Sequence, residues 1–437
     1  MTTKTDFERP SADSSGRLNR RTLLKGLTAA VAAAALPYPF SSFAQDARKT
    51  LKEGKNVPTS ALAKNPRWYG FNLLEYFSTD PDWMRYFPYK NDGMFLEDDF
   101  RWIRDWGFNW VRLPMDYRFW TDPNDLLKIH DGKIEPIDRA IRLGEKYAVH
   151  INVCLHRAPG YCILDTMNEA LTGIHITKEK TSVYTDSHTL DAFVYQWVYF
   201  TERYRGIPNE RLSFNLVNEP LVLPPHPEIS ADQHPRQGSL ESESEYMQKH
   251  AAEYSRVARA AADGIRSKDP HRWIVTDGYP GGFAPIPDLT STDMLQSAHT
   301  YNPMPLTHYQ CEWARGIITG KEPLPTWPLK DASGKVICDR QVQANTFHPW
   351  AELARKGVPI HFGEMGCYKH TPPEVVLAWF SDTLDEIANL KSGWALWNFR
   401  GPFGVLDTER SGTKFENWHG HQLDRPLLNL LQSKVKT

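Results

Sequence analysis

Two glutamates stand out by what precedes them. Glu219 closes the run Leu212-Ser213-Phe214-Asn215-Leu216-Val217-Asn218-Glu219, and Glu364 closes Pro359-Ile360-His361-Phe362-Gly363-Glu364. Each is the first acid after a short apolar stretch of strand length. If both strands run parallel in one barrel, both carboxylates reach the same mouth, and such a pair is the equipment for cutting a glycosidic bond. Other polar or aromatic residues end similar runs in chain order: Arg112, His156, Asn218, His299, Tyr301 and Trp397. Taken singly, a Glu after a strand is more often a salt-bridge partner, Arg112 a core ion pair, and a lone His a satisfied structural group. Independent salt bridges, however, have no reason to follow this order. His361 falls one step off the alternation that carries Glu364 and reads as structural. His308, His348 and His370 lack ligand spacing, so no metal site is expected.

The elements that must hold these residues follow from hydrophobic period. Strands are predicted from Trp68 to Leu73, Trp110 to Leu113, His150 to Leu155, Leu212 to Leu216, Trp273 to Thr276, Met294 to Ala298, Ile360 to Phe362 and Trp394 to Trp397. Helical periods fall from Leu96 to Trp106, Ile134 to Tyr147, Leu190 to Tyr204, Glu245 to Ile265, Pro349 to Lys356 and Pro373 to Ile387. Eight strands alternating with helices predict a parallel α/β fold, a (β/α)8 TIM barrel with enlarged loops after strands four and six. A doubly wound sheet is the alternative, but no Gly-rich phosphate loop follows the first strand, and no cofactor is expected. The enlarged loops, Leu221 to Gly238 and Asn302 to Gln343, are candidate cleft walls. Of the tryptophans, Trp350 reads as packing, whereas Trp313 and Trp327 are divided between packing and sugar stacking. Trp120 is weighed in the same way, and Tyr161 is placed near the border of the sugar site.

The chain has 437 residues, 41% apolar, with a formal net charge of -2. It is long enough to bury a large core, and a nucleic-acid role has no electrostatic footprint. The first 44 residues read as a twin-arginine signal peptide. Arg20-Arg21 precedes an Ala-rich run of about eleven residues, too short to span a bilayer, and Ser42-Phe43-Ala44 suits cleavage before Gln45. Residues 45–64 read as a linker and 65–437 as the catalytic domain, periplasmic or secreted, with no membrane anchor after cleavage. None of the five cysteines forms a CxxC pair, which argues against structural zinc; Cys311 and Cys338 are the expected disulfide if one forms.

The ordered set resembles glycoside hydrolase family 5, the cellulase family. The carriers are Asn218-Glu219-Pro220, Arg112, His156, His299-x-Tyr301, Gly363-Glu364 and Trp397, over roughly residues 66 to 432. The resemblance implies a retaining mechanism in which Glu219 is the acid/base and Glu364 the nucleophile. Arg112 and Tyr301 would then hold Glu364 ionised, and Asn218 would contact the sugar 2-hydroxyl. His299 would sit near Glu219, His156 would touch the bound sugar and Trp397 would form its floor. The implied substrate is a β-linked polysaccharide, with an endo-β-1,4-glucanase as the expected activity. Alternatives are a β-mannanase or an exo-acting β-glucosidase or β-1,3-glucanase. In a different class stands a carbohydrate-binding barrel that has lost catalysis.

Overall fold

The computed structural model describes residues 66–87, 93–166, 169–221, 240–315, 318 and 320–435. The residues read as signal peptide and linker, and nearly all of the loop after strand four, lie outside them. Eight parallel strands close into a barrel: β1 (Tyr69–Asn72), β2 (Trp110–Asp116), β3 (His150–Ala158), β4 (Leu212–Asn215), β5 (Ile274–Asp277), β6 (Leu295–Thr300), β7 (Ile360–Met365) and β8 (Trp394–Leu396). Each pairs in parallel with its neighbours, and β8 returns to β1 through Tyr69 opposite Trp394. The fold is the (β/α)8 TIM barrel.

Strand β3 shows how sequence makes this wall. Ile151, Val153 and Leu155 join the outer core under the helices, whereas His150 and Asn152 turn inward, the first stacking on Trp68 and the second donating to Ser213. Both faces are buried, as parallel barrel strands require. Helix α1 (Glu97–Asp105) follows β1. Helix α2 (Glu135–Tyr147) opens with Pro136 and acidic residues in its first turn, and buries Ile137, Ala140, Ile141 and Leu143. Each of the two isoleucines is worth roughly 1.5–3 kcal/mol if fully buried. Gly144 lets the helix close on β3: a Cβ there would come 2.5 Å from Ile151. Helix α3 (Ser187–Arg203) is capped by Asp186, which accepts from the Thr189 N–H at 2.7 Å. Helices α4 (Leu240–Lys268), α5 (His348–Arg355) and α6 (Pro373–Asn389) continue the outer layer, and α7 (Arg425–Ser433) closes it. Between β5 and β6 the chain makes only a 3-10 turn at Pro287–Leu289.

The barrel interior is layered. Its floor is apolar and aromatic: Trp68, Trp110, Val275, Leu295 and Ala395 pack together. His150 and His361 complete the floor; burial drives both down to about 3, so they are neutral packing groups. Above the floor lies a polar layer centred on Arg112, and above that the mouth.

Two β-bulges sit at the mouth, at His156 in β3 and at Gly363 in β7. An extra residue in one strand re-aims the side chains beyond it. In β7 the bulge resets the alternation, so His361 faces the barrel floor and Glu364, three residues later, still reaches the mouth.

The loop after β6 is ordered by a short helix (Met304–Thr307), an antiparallel pair (Leu329–Lys330 with Val336–Cys338) and a further helix (Arg340–Thr346). The expected Cys311–Cys338 disulfide is not formed. All five cysteines are free and buried. Cys311 belongs to an apolar cluster over the mouth and Cys338 to the main core, so each packs as a small hydrophobe in a different place.

Candidate active site

Arg112, at the centre of β2, organises the site from below. Its side chain is 1% exposed, and every nitrogen is engaged. Nε donates to Asn215 Oδ1 at 2.8 Å. Nη1 donates to Asn72 at 3.0 Å and to Glu364 Oε1 at 2.6 Å. Nη2 donates to Asn218 Oδ1 at 2.8 Å and approaches Asp277 Oδ2 at 3.4 Å. One guanidinium therefore spans the ends of β1, β4, β5 and β7. A buried cation on this scale is tolerable only because two carboxylates face it.

Glu364 uses both oxygens as acceptors, the second for Tyr301 Oη–H at 3.0 Å. Burial raises its pKa, to about 7, and the charge of Glu219 pushes the same way; the cations at His299 and Arg112 oppose the rise. The side chain of Glu364 is 4% exposed and that of Glu219 is 22% exposed, so the desolvation falls on Glu364.

Glu219 follows β4 in a left-handed backbone conformation, φ 46°. Such a conformation in a non-glycine residue costs of order 1–3 kcal/mol and must be held by its surroundings. Here its N–H donates to Asp277 Oδ2 at 2.9 Å and its C=O accepts from Tyr161 Oη–H at 2.5 Å. His299 lies beside it, Nδ1 2.9 Å from Glu219 Oε1, with Nε2 3.2 Å from Asp277 Oδ2. Burial alone would lower the pKa of His299, but Glu364 and Asp277 outweigh it and lift the ring to about 10. Asp277 is held down at about 2 against its own burial by His299 and Arg112.

Glu219, His299 and Glu364 offer side-chain atoms within 4.8 Å of one another, a separation that would also suit a metal ion. These groups already have partners: His299 spans Glu219 and Asp277, and the Arg112 cation sits on Glu364. The arrangement is built to hold and move protons.

All eight residues singled out in the sequence meet at this mouth. Asn218 is fully buried, and its Nδ2 has no hydrogen-bond partner among the described residues. His156, at its bulge, lies against Phe77 and Trp397, with ring centroids at 4.5 and 5.6 Å. Burial and the Arg112 charge keep it neutral. Trp397 is 7% exposed.

Asp277 and Asn72 were missed. Asp277 carried a signal of the same kind as the two glutamates, since Ile274-Val275-Thr276-Asp277 is also a strand run closed by its first acid. Of the weighed tryptophans, Trp120 and Trp350 are buried packing groups, their indole N–H groups given to Gln196 and to the Phe283 carbonyl. Trp327 donates to Asp382 beside the main core.

A closed barrel with paired carboxylates at its C-terminal mouth is the architecture of a glycoside hydrolase. Residues 64–401 match the family described as Cellulase (glycosyl hydrolase family 5), and the chain belongs to that family. Endoglucanase C of Acetivibrio thermocellus is 21% identical over 330 residues, 71% of this chain and 85% of that protein. Cellodextrinase A of Ruminococcus flavefaciens is 22% identical over 305 residues, 68% of this chain and 77% of the relative. Among solved structures, one described as a glycoside hydrolase superposes with a TM-score of 0.68 at 33% identity, covering 84% of this chain and 99% of that one. An endoglucanase from Thermotoga maritima, at 21% identity and a TM-score of 0.57, shares the fold over 84% of this chain and 97% of its own. Among the described residues, no helix is long and apolar enough to cross a membrane.

Proposed function

We propose that this glycoside hydrolase cleaves β-linked glucans with retention of anomeric configuration. The observation that supports the reading is the closeness of the two carboxylates, an oxygen of one lying within 4.8 Å of an oxygen of the other. Retaining enzymes need about 5–5.5 Å between carboxyl groups, whereas inverting enzymes leave room for a water at about 6.5–9.5 Å. Glu364, gripped by Arg112 and Tyr301, attacks the anomeric carbon and forms a glycosyl ester. Glu219 gives its proton to the departing oxygen, then takes one from the water that resolves the ester. His299, charged and set between Glu219 and Asp277, steadies the acid/base through the cycle. The free Nδ2 of Asn218 suits a sugar hydroxyl, a bond that strengthens as positive charge develops on the ring. Glucan as substrate is supported by the names of the relatives, an endoglucanase and a cellodextrinase. Export by the twin-arginine route is part of the proposal and rests on the Arg20-Arg21 leader.

The decisive experiment is rescue by an external nucleophile. Glu364→Gln should abolish turnover on carboxymethylcellulose and on aryl β-glycosides. Glu364→Ala with azide should yield an α-glycosyl azide, identified by NMR. Wild-type enzyme releasing the inverted anomer would exclude the retaining assignment.

A further inference from the structure

The loops over the mouth form a second apolar cluster, separate from the main core. The loop after β1 contributes Phe77, Trp83 and Phe87; the loop after β3 contributes Ile174 and Ile176; the loop after β6 contributes Cys311 and Ala314. Trp313 is the keystone. Its ring meets Trp83 at 5.4 Å, Tyr86 at 5.1 Å and Tyr368 at 4.9 Å between centroids. The short helix Glu169–Thr172, after β3, packs against the turn Glu312–Ala314, after β6.

Around the ring, β3 and β6 are separated by β4 and β5 on one side and by β7, β8, β1 and β2 on the other. Contact between their loops is therefore a chord across the mouth. Behind it lie Trp397, His156 and Glu364, at 7%, 4% and 3% exposure. On the other side is the sector of β4 and β5, where Glu219 is the most exposed charged group of the site at 22%.

The wall is braced. Arg157, 2% exposed, donates to Glu179 Oε1 and to the Thr177 carbonyl, both at 2.7 Å. Arg118 binds Asp80 at 2.7 Å, and Asp80 accepts from the Thr177 N–H at 3.2 Å. The loops after β1 and β3 are thus pinned to each other as well as to the barrel.

Resting on the glycosidase reading above, we infer that the enzyme is exo-acting and takes the non-reducing end of a β-glucan chain into a closed pocket. The sugar bonded to Glu364 must lie behind the chord, over Trp397 and His156. The leaving group, protonated by Glu219, must extend into the β4–β5 sector. A chain running through the site would have to pass through the wall formed by Trp313, Trp83 and Phe87. Internal cleavage, the activity the sequence resemblance implies, needs that path open.

The test is product origin. Cellopentaose and mannopentaose labelled at the reducing end, with carboxymethylcellulose, glucomannan and laminarin as polymers, are given to the full-length enzyme. The expected first products are short unlabelled sugars and a shortened labelled chain, with polymer viscosity hardly changed as reducing ends accumulate. Trp313→Ala, outside the carboxylate machinery, should raise viscosity loss per bond cleaved several-fold. Should that variant fail to fold, the wild-type label pattern decides alone. Short labelled products at first turnover, with a rapid fall in viscosity, would overturn the exo inference and leave the glycosidase reading standing. No hydrolysis of any of these substrates or of aryl β-glycosides would overturn both.

Discussion

At the scale of single residues, the site is a problem of placing three acids around two cations. Asp277 offsets one of the two positive charges that Arg112 and His299 bring, and the mouth carboxylates face the remainder. Glu364 must be ionised to attack, so activity is present above its pKa and lost as pH falls through it. With that pKa raised to about 7 by burial, the acid limb of kcat/KM should lie near neutrality. Tyr301→Phe deletes a donor to the ionised form. A hydrogen bond worth about 0.5–1.5 kcal/mol should move the limb upward by about 0.5–1 pH unit. A pH–rate profile on an activated aryl glycoside reads this directly, and a limb unmoved or moved downward would remove Tyr301 from Glu364's support. Asp277 was legible in principle. The pair rule stopped at two acids because hydrolysis needs two, and the third serves the protein's own charge balance rather than the substrate.

At the scale of elements, the eight strands were readable because each is a short apolar run with both faces buried, and the structure lengthens several of them by one to three residues. What could not be read was phase. A bulge adds one residue without changing composition, so the resetting of β7 at Gly363 and of β3 at His156 left no mark on the pattern. The hairpin of Glu416–Trp418 with His421–Leu423 also escaped, being too brief to show a period; α7 went unread although Leu427, Leu428 and Leu431 carry a helical spacing. The turn after β5 offers a test of how elements hold the site. Gly282 has φ 81°, and a Cβ there would lie 2.7 Å from the Cβ and Cγ of His299. Gly282→Ala should press His299 away from Glu219 and lower kcat by up to about 100-fold while the barrel stays folded. Near-wild-type kcat with an unchanged melting curve would show that His299 tolerates the displacement.

At the scale of the whole molecule, the mouth is stabilised apart from the barrel, by aromatic packing and by the buried charges around Arg157. Asp80, Asp116, Asp165 and Glu179 all lie within ion-pair distance of that guanidinium. Arg157→Ala would leave carboxylates buried without their cation, which should cost about 3–5 kcal/mol. The loss should appear as a lower Tm at neutral pH and shrink as acid protonates the group; an unchanged Tm would mean that the network contributes nothing to folding. The five cysteines bear on the molecule's surroundings. Burial pushes the thiols of Cys162, Cys338 and Cys367 up to about 12, and those of Cys154 and Cys311 upward as well. Thiolate is the form that oxidants and partner thiols attack. With all five sulfurs buried and held protonated, the folded chain presents no thiolate for such reagents to reach.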